Sequence, residues 1–336
     1  MQVAIAKSLQ LAASGGWLAA LGALVYMFLA SGETRSAPPQ GISRTAYSAM
    51  AYRAVGGQDP DPATRNPDYL AIRLCNPAII QDRLGLSLDF REAIKEIERR
   101  KRYLFYYVTA RTKHMDRILA QALAQGAQQV VILGAGFDTR SHRFHAGRPQ
   151  VRFFEVDTPA MVRIKQGLVR ERLGDSPPTL SYVPLDFATQ RLDREMARAG
   201  FNREAKTLFI WEGVAMYLEA EAVAATFGFV AANSGGGSLV AFDFVLPAAL
   251  AGSGKESQPG EKGADRFTKL GEPMKWGIEP AELQRFLAGQ GLELAQVMEP
   301  EQISARYLTG SDGALLGRLP AVSWFALARA PEAARG

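Results

Sequence analysis

The sequence predicts an α/β fold: a doubly wound, mostly parallel seven-stranded sheet with a helical N-terminal cap. Three observations carry that prediction. Val130-Val131-Ile132-Leu133 is a short, continuous apolar run rich in β-branched residues, as suits a strand buried on both faces of a parallel sheet. It stops at Gly134-Ala135-Gly136, where two glycines one residue apart let the chain turn tightly and bring bare backbone close to a ligand. A second strand, Val151 to Val156, ends in Glu155 and Asp157, a little over twenty residues past the first glycine. An open α/β sheet places an acid there to accept hydrogen bonds from ribose hydroxyls.

These features point to a nucleoside cofactor, and the third glycine position narrows the choice. A dinucleotide site of the GxGxxG kind needs a small residue there and an open helix N-terminus for pyrophosphate. This chain has Thr139, preceded by Asp138, whose carboxylate repels phosphate. S-adenosyl-L-methionine carries adenine and ribose without a phosphate and suits the pattern better. A glycine turn that binds nothing is the bland alternative. An NAD(P)-dependent oxidoreductase is the other enzyme reading, and Thr139 and the lack of a Tyr-x-x-x-Lys motif count against it.

The stretch Leu133 to Arg140, LGAGFDTR, with Phe154-Glu155-Val156-Asp157 and Trp211-Glu212-Gly213 after it, resembles the leucine carboxyl methyltransferase family and its bacterial relatives. These are S-adenosyl-L-methionine-dependent enzymes, and the likeness runs from about Ser43 to Ala330. The resemblance implies a sheet of the S-adenosyl-L-methionine methyltransferase type. It implies that Arg111 meets the carboxylate of the cofactor's methionine part, a task suited to a planar fork of donors. Asp186 accepts from the adenine amine while Phe187 offers an apolar wall. Glu212 lies in the cofactor pocket, and Met216-Tyr217-Leu218 lies beside the substrate. The implied cofactor-binding set is Arg111, Gly134, Ala135, Gly136, Asp138, Asp157, Asp186, Phe187 and Glu212, with Tyr217 as the candidate catalytic residue. Eukaryotic members methylate a protein's C-terminal leucine, whereas bacterial relatives are mostly assigned to small molecules.

Taken in order, residues 1–32 read as an apolar helix, 33–42 as a linker, 43–126 as a helical cap and cofactor lid, and 127–330 as a Rossmann-like core with a mobile insertion at 250–275. No charged residue lies between Lys7 and Glu33, and that stretch is long enough to cross a bilayer. A membrane anchor through residues 9–31, a cleaved signal peptide and an amphipathic or buried cap helix compete for it. The cofactor is made in the cytosol, which argues against cleavage and export. Arg35, Arg44 and Arg53 outweigh Lys7, which would keep the catalytic domain in the cytoplasm, on the inner face of the plasma membrane. Such an anchor is a departure from the soluble family pattern: it speaks against protein-phosphatase methylation and for a small or lipophilic methyl acceptor. A non-catalytic, membrane-tethered nucleoside-binding protein is the remaining alternative.

Within the cap, Ser43-Arg44-Thr45-Ala46 resembles a family element lying over the cleft and also reads as a helix start with Ser43 as N-cap. Residues 59–68 read as a loop before a short helix, Tyr69 to Cys75. Asp89 and Glu92 form a capping-box pattern before a long helical stretch, Phe90 to Gln125, closed by Gly126. The β-branched and small residues Val108-Thr109-Ala110 predict a break there, just before Arg111. In the core, a helix from Phe137 to Phe144 follows the glycines, and a helix from Pro159 to Leu173 carries Lys165 and Arg170 on a solvated face. Leu180 to Pro184, Thr207 to Trp211, Ser238 to Phe244, Leu292 to Met298 and Val322 to Ala328 supply the remaining strands, the last antiparallel. Asp186 could instead cap a helix near Thr189. Glu282, Leu283, Phe286 and Leu287 have helical spacing. The Gly-rich stretch 252–263 reads as a substrate lid.

Methyl transfer is an in-line displacement, so alignment and exclusion of water are the enzyme's main tasks. A carboxylate acceptor is already ionised and needs no base. A hydroxyl acceptor needs one, with His142, Glu212 and Tyr217 as candidates. His142, His145 and Asp138 are too few for a metal site. Arg140 and Arg143 could attract an anionic substrate. The net charge of +5 over 336 residues is spread along the chain, with no Lys/Arg tract interleaved with aromatics, so nucleic acid is not an expected partner. Cys75 is the sole cysteine, which excludes an intrachain disulfide.

Overall fold

A computed structural model describes residues 43–75, 80–81, 85–100, 103–187, 190–250 and 272–332. The expectations for the anchor and linker at 1–42, and for a lid at 252–263, lie outside the described residues.

Seven strands form one sheet: β1 (Gln129–Leu133), β2 (Arg152–Asp157), β3 (Leu180–Pro184), β4 (Thr207–Trp211), β5 (Leu239–Val245), β6 (Glu293–Met298) and β7 (Ser323–Arg329). Their spatial order is β3-β2-β1-β4-β5-β7-β6. The first five pair in parallel, and β7 lies antiparallel between β5 and β6. Strand order reverses between β1 and β4, so the chain leaves a crevice at their carboxyl ends.

Why β1 reads as an unbroken apolar run is visible in its two faces. Val130 and Ile132 join one hydrophobic layer, Val131 and Leu133 the other, because side chains alternate along a strand. The first layer packs against α1 (Arg44–Gly56), α4 (Leu104–Ala124) and α6 (Pro159–Arg172). The second packs against α7 (Leu192–Arg198), α8 (Ala220–Ala232) and α9 (Pro280–Gly289). Helices α2 (Ala71–Leu74), α3 (Phe90–Arg99), α5 (Arg140–Phe144) and α10 (Pro300–Tyr307) complete the described set.

Ser43 caps α1, its hydroxyl accepting from the Ala46 amide at 3.0 Å, and Asp89 caps α3 through the Glu92 amide at 3.0 Å. The long helix expected from Phe90 to Gln125 is two helices, and the break is not at Val108-Thr109-Ala110. It falls after Arg99, in a run of cations, and Leu104 starts α4 anew. Val108, Thr109 and Ala110 are buried inside α4, where tertiary packing outweighs the weak helix propensity of the two β-branched residues and Ala110 is itself a strong helix former. Arg111 therefore sits well inside a rigid helix rather than behind a hinge. The helix after the glycine turn is also shorter than expected: Phe137 and Asp138 remain in the turn, and α5 begins at Arg140. The helix described after Asp186 is α7, whose N-cap position is Arg191, and the Asp186 amide donates to Gln190 Oε1 at 2.9 Å.

Candidate functional site

Strands β1, β2, β4 and β5 are mostly buried, but the loops that leave the sheet at the carboxyl ends are not. Gly134, Gly136, Asp157, Asp186, Phe187, Glu212 and Gly213 are each partly exposed and line the edge where β1, β2, β3 and β4 end. Gly134 stands at φ +66°, and a Cβ there would lie 2.3 Å from Val214 Cγ2. The β1 and β4 loops can close on each other only because that Cβ is missing.

Asp157 is tied to the glycine turn. Its Oδ2 accepts from the Gly136 amide and its Oδ1 from the Thr158 amide, each at 2.6 Å. Burial raises the Asp157 pKa, opposed by these two amides. A carboxylate so held, at the end of β2 and still partly exposed, has the chemistry to accept from vicinal hydroxyls. Ala135 is buried and donates its amide to the Val156 carbonyl at 3.0 Å, which locks the turn onto β2.

The other half of the site is a chain of buried ion pairs. Arg111 Nε donates to Glu212 Oε1 at 3.0 Å and Nη1 to Asp243 Oδ2 at 3.2 Å, while the guanidinium stacks over Tyr107 at 4.8 Å. Glu212 Oε2 lies 2.7 Å from Arg140 Nη2, so one carboxylate sits between two guanidinium groups. Burial raises the Glu212 pKa, yet Arg140 and Arg111 outweigh it and hold the group below the usual carboxylate range. Arg140 also pairs with Asp116 (2.7 Å) and Asp138, and Arg143 joins Asp116 to the neighbourhood of Asp68. Asp68 in turn binds Arg53 Nε at 2.9 Å and the Thr139 hydroxyl at 2.5 Å, and Arg53 Nη2 donates to the Phe137 carbonyl at 2.7 Å. Cap and glycine turn are thereby joined.

Two expectations are corrected here. Arg140 and Arg143 are not available to an incoming anion: both side chains are buried, and their charges are matched by Asp116, Asp138 and Glu212. Lys165 is not on a solvated face but 2% exposed, paired to Glu155 Oε2 at 2.6 Å beneath β2, while Arg170 is exposed as expected. Helical spacing locates a residue on a helix surface, and only packing decides which part of that surface is covered.

The structure brings Arg111, Glu212, Gly134, Gly136 and Asp157 to one edge, with Asp186 and Phe187 at the end of β3. Asp138 turns both oxygens onto Arg140, accepting from its amide at 2.6 Å and from its guanidinium. Burial raises the Asp138 pKa, but Arg140, Lys165 and Arg53 with the Arg140 amide together outweigh it and hold the pKa at about 2. Tyr217, in a turn of 3-10 helix (Ala215–Tyr217), lies beside Thr45, and burial raises its pKa well above that of a free phenol. The Thr45 amide donates to Glu272 Oε2 at 3.2 Å, tying the start of α1 to the segment after residue 271. His142 stands near the Lys165 ammonium, and burial lowers its pKa to about 4. Among the described residues no cluster of His, Cys, Asp or Glu could hold a metal ion. No helix among the described residues is long and apolar enough to cross a membrane.

Sequence reasoning missed Asp243, Asp116 and Asp68. The first had a signal: it is the lone acid in the apolar strand Leu239–Val245, and such a residue must find a buried partner.

Residues 46–231, over half of the chain, match the model of the leucine carboxyl methyltransferase family. The chain belongs to that family. A Bacillus subtilis protein, YktD, described as a candidate S-adenosyl-L-methionine-dependent methyltransferase, is 29% identical over 58% of this chain and 64% of its own length. A Streptomyces avermitilis protein of the same description is 29% identical over 78% of this chain and 86% of its own. The crystal structure of a DUF574 family protein from Streptomyces avermitilis shares the fold, with a TM-score of 0.54 at 17% identity, covering 84% of this chain and 97% of that one. As a leucine carboxyl methyltransferase family member, this chain is an S-adenosyl-L-methionine-dependent methyltransferase.

Proposed function

We propose that this family member transfers the methyl group of S-adenosyl-L-methionine to a carboxylate oxygen of a small or lipophilic acceptor. The observation that carries the choice of acceptor is the position of Glu212 between Arg111 and Arg140. A carboxylate held by two guanidinium groups is a weak proton acceptor. Tyr217 has a raised pKa and stays a neutral phenol at pH 7, and burial lowers the His142 pKa to about 4, which makes it a weak proton acceptor. With its candidate bases so placed, the site suits an acceptor that arrives already ionised.

The residues present fit the cofactor. Asp157 would hold the ribose, Asp186 and Phe187 the adenine, and Arg111 with Glu212 the methionine part. Four guanidinium groups (Arg53, Arg111, Arg140, Arg143) face five carboxylates (Asp68, Asp116, Asp138, Glu212, Asp243), a formal excess of one negative charge that favours a cation nearby. When bound, S-adenosyl-L-methionine supplies an electrophilic methyl group on a sulfonium. The protein's part is to align that group and exclude water, and Thr45, Tyr217 and Glu272 stand where α1 covers the crevice edge.

The test is incubation with methyl-labelled cofactor and matched panels of carboxylic acids and alcohols, followed by mild alkali. Methyl esters release labelled methanol and methyl ethers do not. Alkali-stable product from alcohols alone would overturn the carboxylate reading. The apolar segment 9–31 supports a membrane-associated acceptor through its sequence alone. Removing residues 1–36 should move the protein from the membrane fraction to the supernatant with cofactor affinity unchanged, and full-length protein found wholly in the supernatant would refute the anchor.

A further inference from the structure

Asp243, on β5, is fully buried, yet it reaches two parts of the proposed cofactor site. Its Oδ1 accepts from the Gly213 amide at 2.6 Å. Its Oδ2 accepts from Arg111 Nη1 at 3.2 Å and from the Tyr107 hydroxyl. Gly213 is itself shaped around Arg111: it stands at φ +69°, and a Cβ there would lie 2.6 Å from Arg111 Nη1. One carboxylate thus fixes the guanidinium from one side and the Glu212-Gly213 turn from the other, while the Tyr107 ring lies 4.8 Å from the same guanidinium. A guanidinium has a rigid fork of donors, so fixing Nε on Glu212 and Nη1 on Asp243 also fixes the direction of its remaining N–H groups.

We infer that Asp243 is a positioning residue for the methyl-transfer site: through Arg111 it aims the guanidinium that recognises the cofactor's carboxylate. The inference rests on the cofactor reading above, and deepens it. Asp243 acts through Arg111, and the Tyr107 hydroxyl supports both.

The experiment compares calorimetric binding of S-adenosyl-L-methionine and of decarboxylated S-adenosylmethionine, which keeps the sulfonium and amine but lacks the carboxylate. The wild-type protein should prefer the intact cofactor. Asp243→Asn keeps an oxygen for the Gly213 amide but removes the charge facing Arg111. It should weaken the intact cofactor by about tenfold, as expected for loss of a charge-assisted contact, and leave the decarboxylated ligand nearly unmoved. Equal weakening of both ligands would show a merely structural role and overturn the proposal, as would an unchanged preference in a folded variant. Should Asp243→Asn fail to fold, Tyr107→Phe decides: it removes the hydroxyl that bonds Asp243 and faces Arg111, and should narrow the same preference by a few-fold, and no narrowing would overturn the proposal. Wild-type protein that binds neither ligand would instead defeat the cofactor reading itself. Equal wild-type affinity for both would defeat the Arg111 assignment, and Asp243 would then have no carboxylate to aim at.

Discussion

Replacing Arg140 with methionine tests whether the buried charge network holds the fold together. Arg140 is 2% exposed and contacts three carboxylates, those of Asp116, Asp138 and Glu212. In Arg140→Met, Asp116 keeps Arg143 and Glu212 keeps Arg111, but Asp138 keeps only a backbone amide. The loss therefore centres on one stranded carboxylate and two weakened ones. Removing one partner of a buried pair costs about 3–5 kcal/mol, a large part of the roughly 5–15 kcal/mol that stabilises a domain.

The pH dependence follows from sign. In the wild type the Asp138 pKa is depressed to about 2, so its contribution is fully present above the unfolded value and is lost as pH falls through about 2. In the variant, burial is opposed only by Lys165, Arg53 and the backbone amide, and the folded pKa rises above the unfolded one. The destabilisation is then greatest near neutral pH and shrinks on acidification, because the stranded carboxyl can take up a proton. Urea denaturation followed by circular dichroism at pH 7 and pH 5 measures both effects. A loss below about 1 kcal/mol at pH 7, or the same loss at both pH values, would refute the reasoning.

Three further outcomes are expected. Asp157→Ala should weaken S-adenosyl-L-methionine by about 1.5–3 kcal/mol in calorimetry, the cost of losing hydrogen bonds to a charged acceptor; unchanged affinity in a folded variant would remove the ribose assignment. Gly134→Ala should destabilise by about 1–3 kcal/mol through positive φ and the clash with Val214, and adding Val214→Ala should recover part of that loss in the same denaturation assay. Lys165→Met should cost about 3–5 kcal/mol by leaving Glu155 unpaired, while the double variant with Glu155→Gln should be clearly more stable than the single one. If it is not, the pair is not what Lys165 supports.

The chain by itself determined most of the fold. Strand identity rests on runs such as Val130 to Leu133 and Leu208 to Trp211, whose apolar continuity requires burial on both faces, and the antiparallel position of β7 followed from the resemblance. The glycine turn and the Asp157 strand end were legible because backbone reach and interval are local properties. The partners of the charged residues were not. Lys165, Arg140 and Arg143 look like solvated cations on helices, and the sequence carries no record of which helix face another layer covers. Asp243 and Arg111 are 132 positions apart, and Glu212 and Arg111 101 apart. Contacts at that separation exist only because the strand order sets β4 and β5 side by side beneath α4. Only the tertiary structure could decide that Glu212 is pinned between two arginines, and the reason is physical: a carboxylate's proton affinity is set by the charges within a few ångströms of it, whatever their distance along the chain.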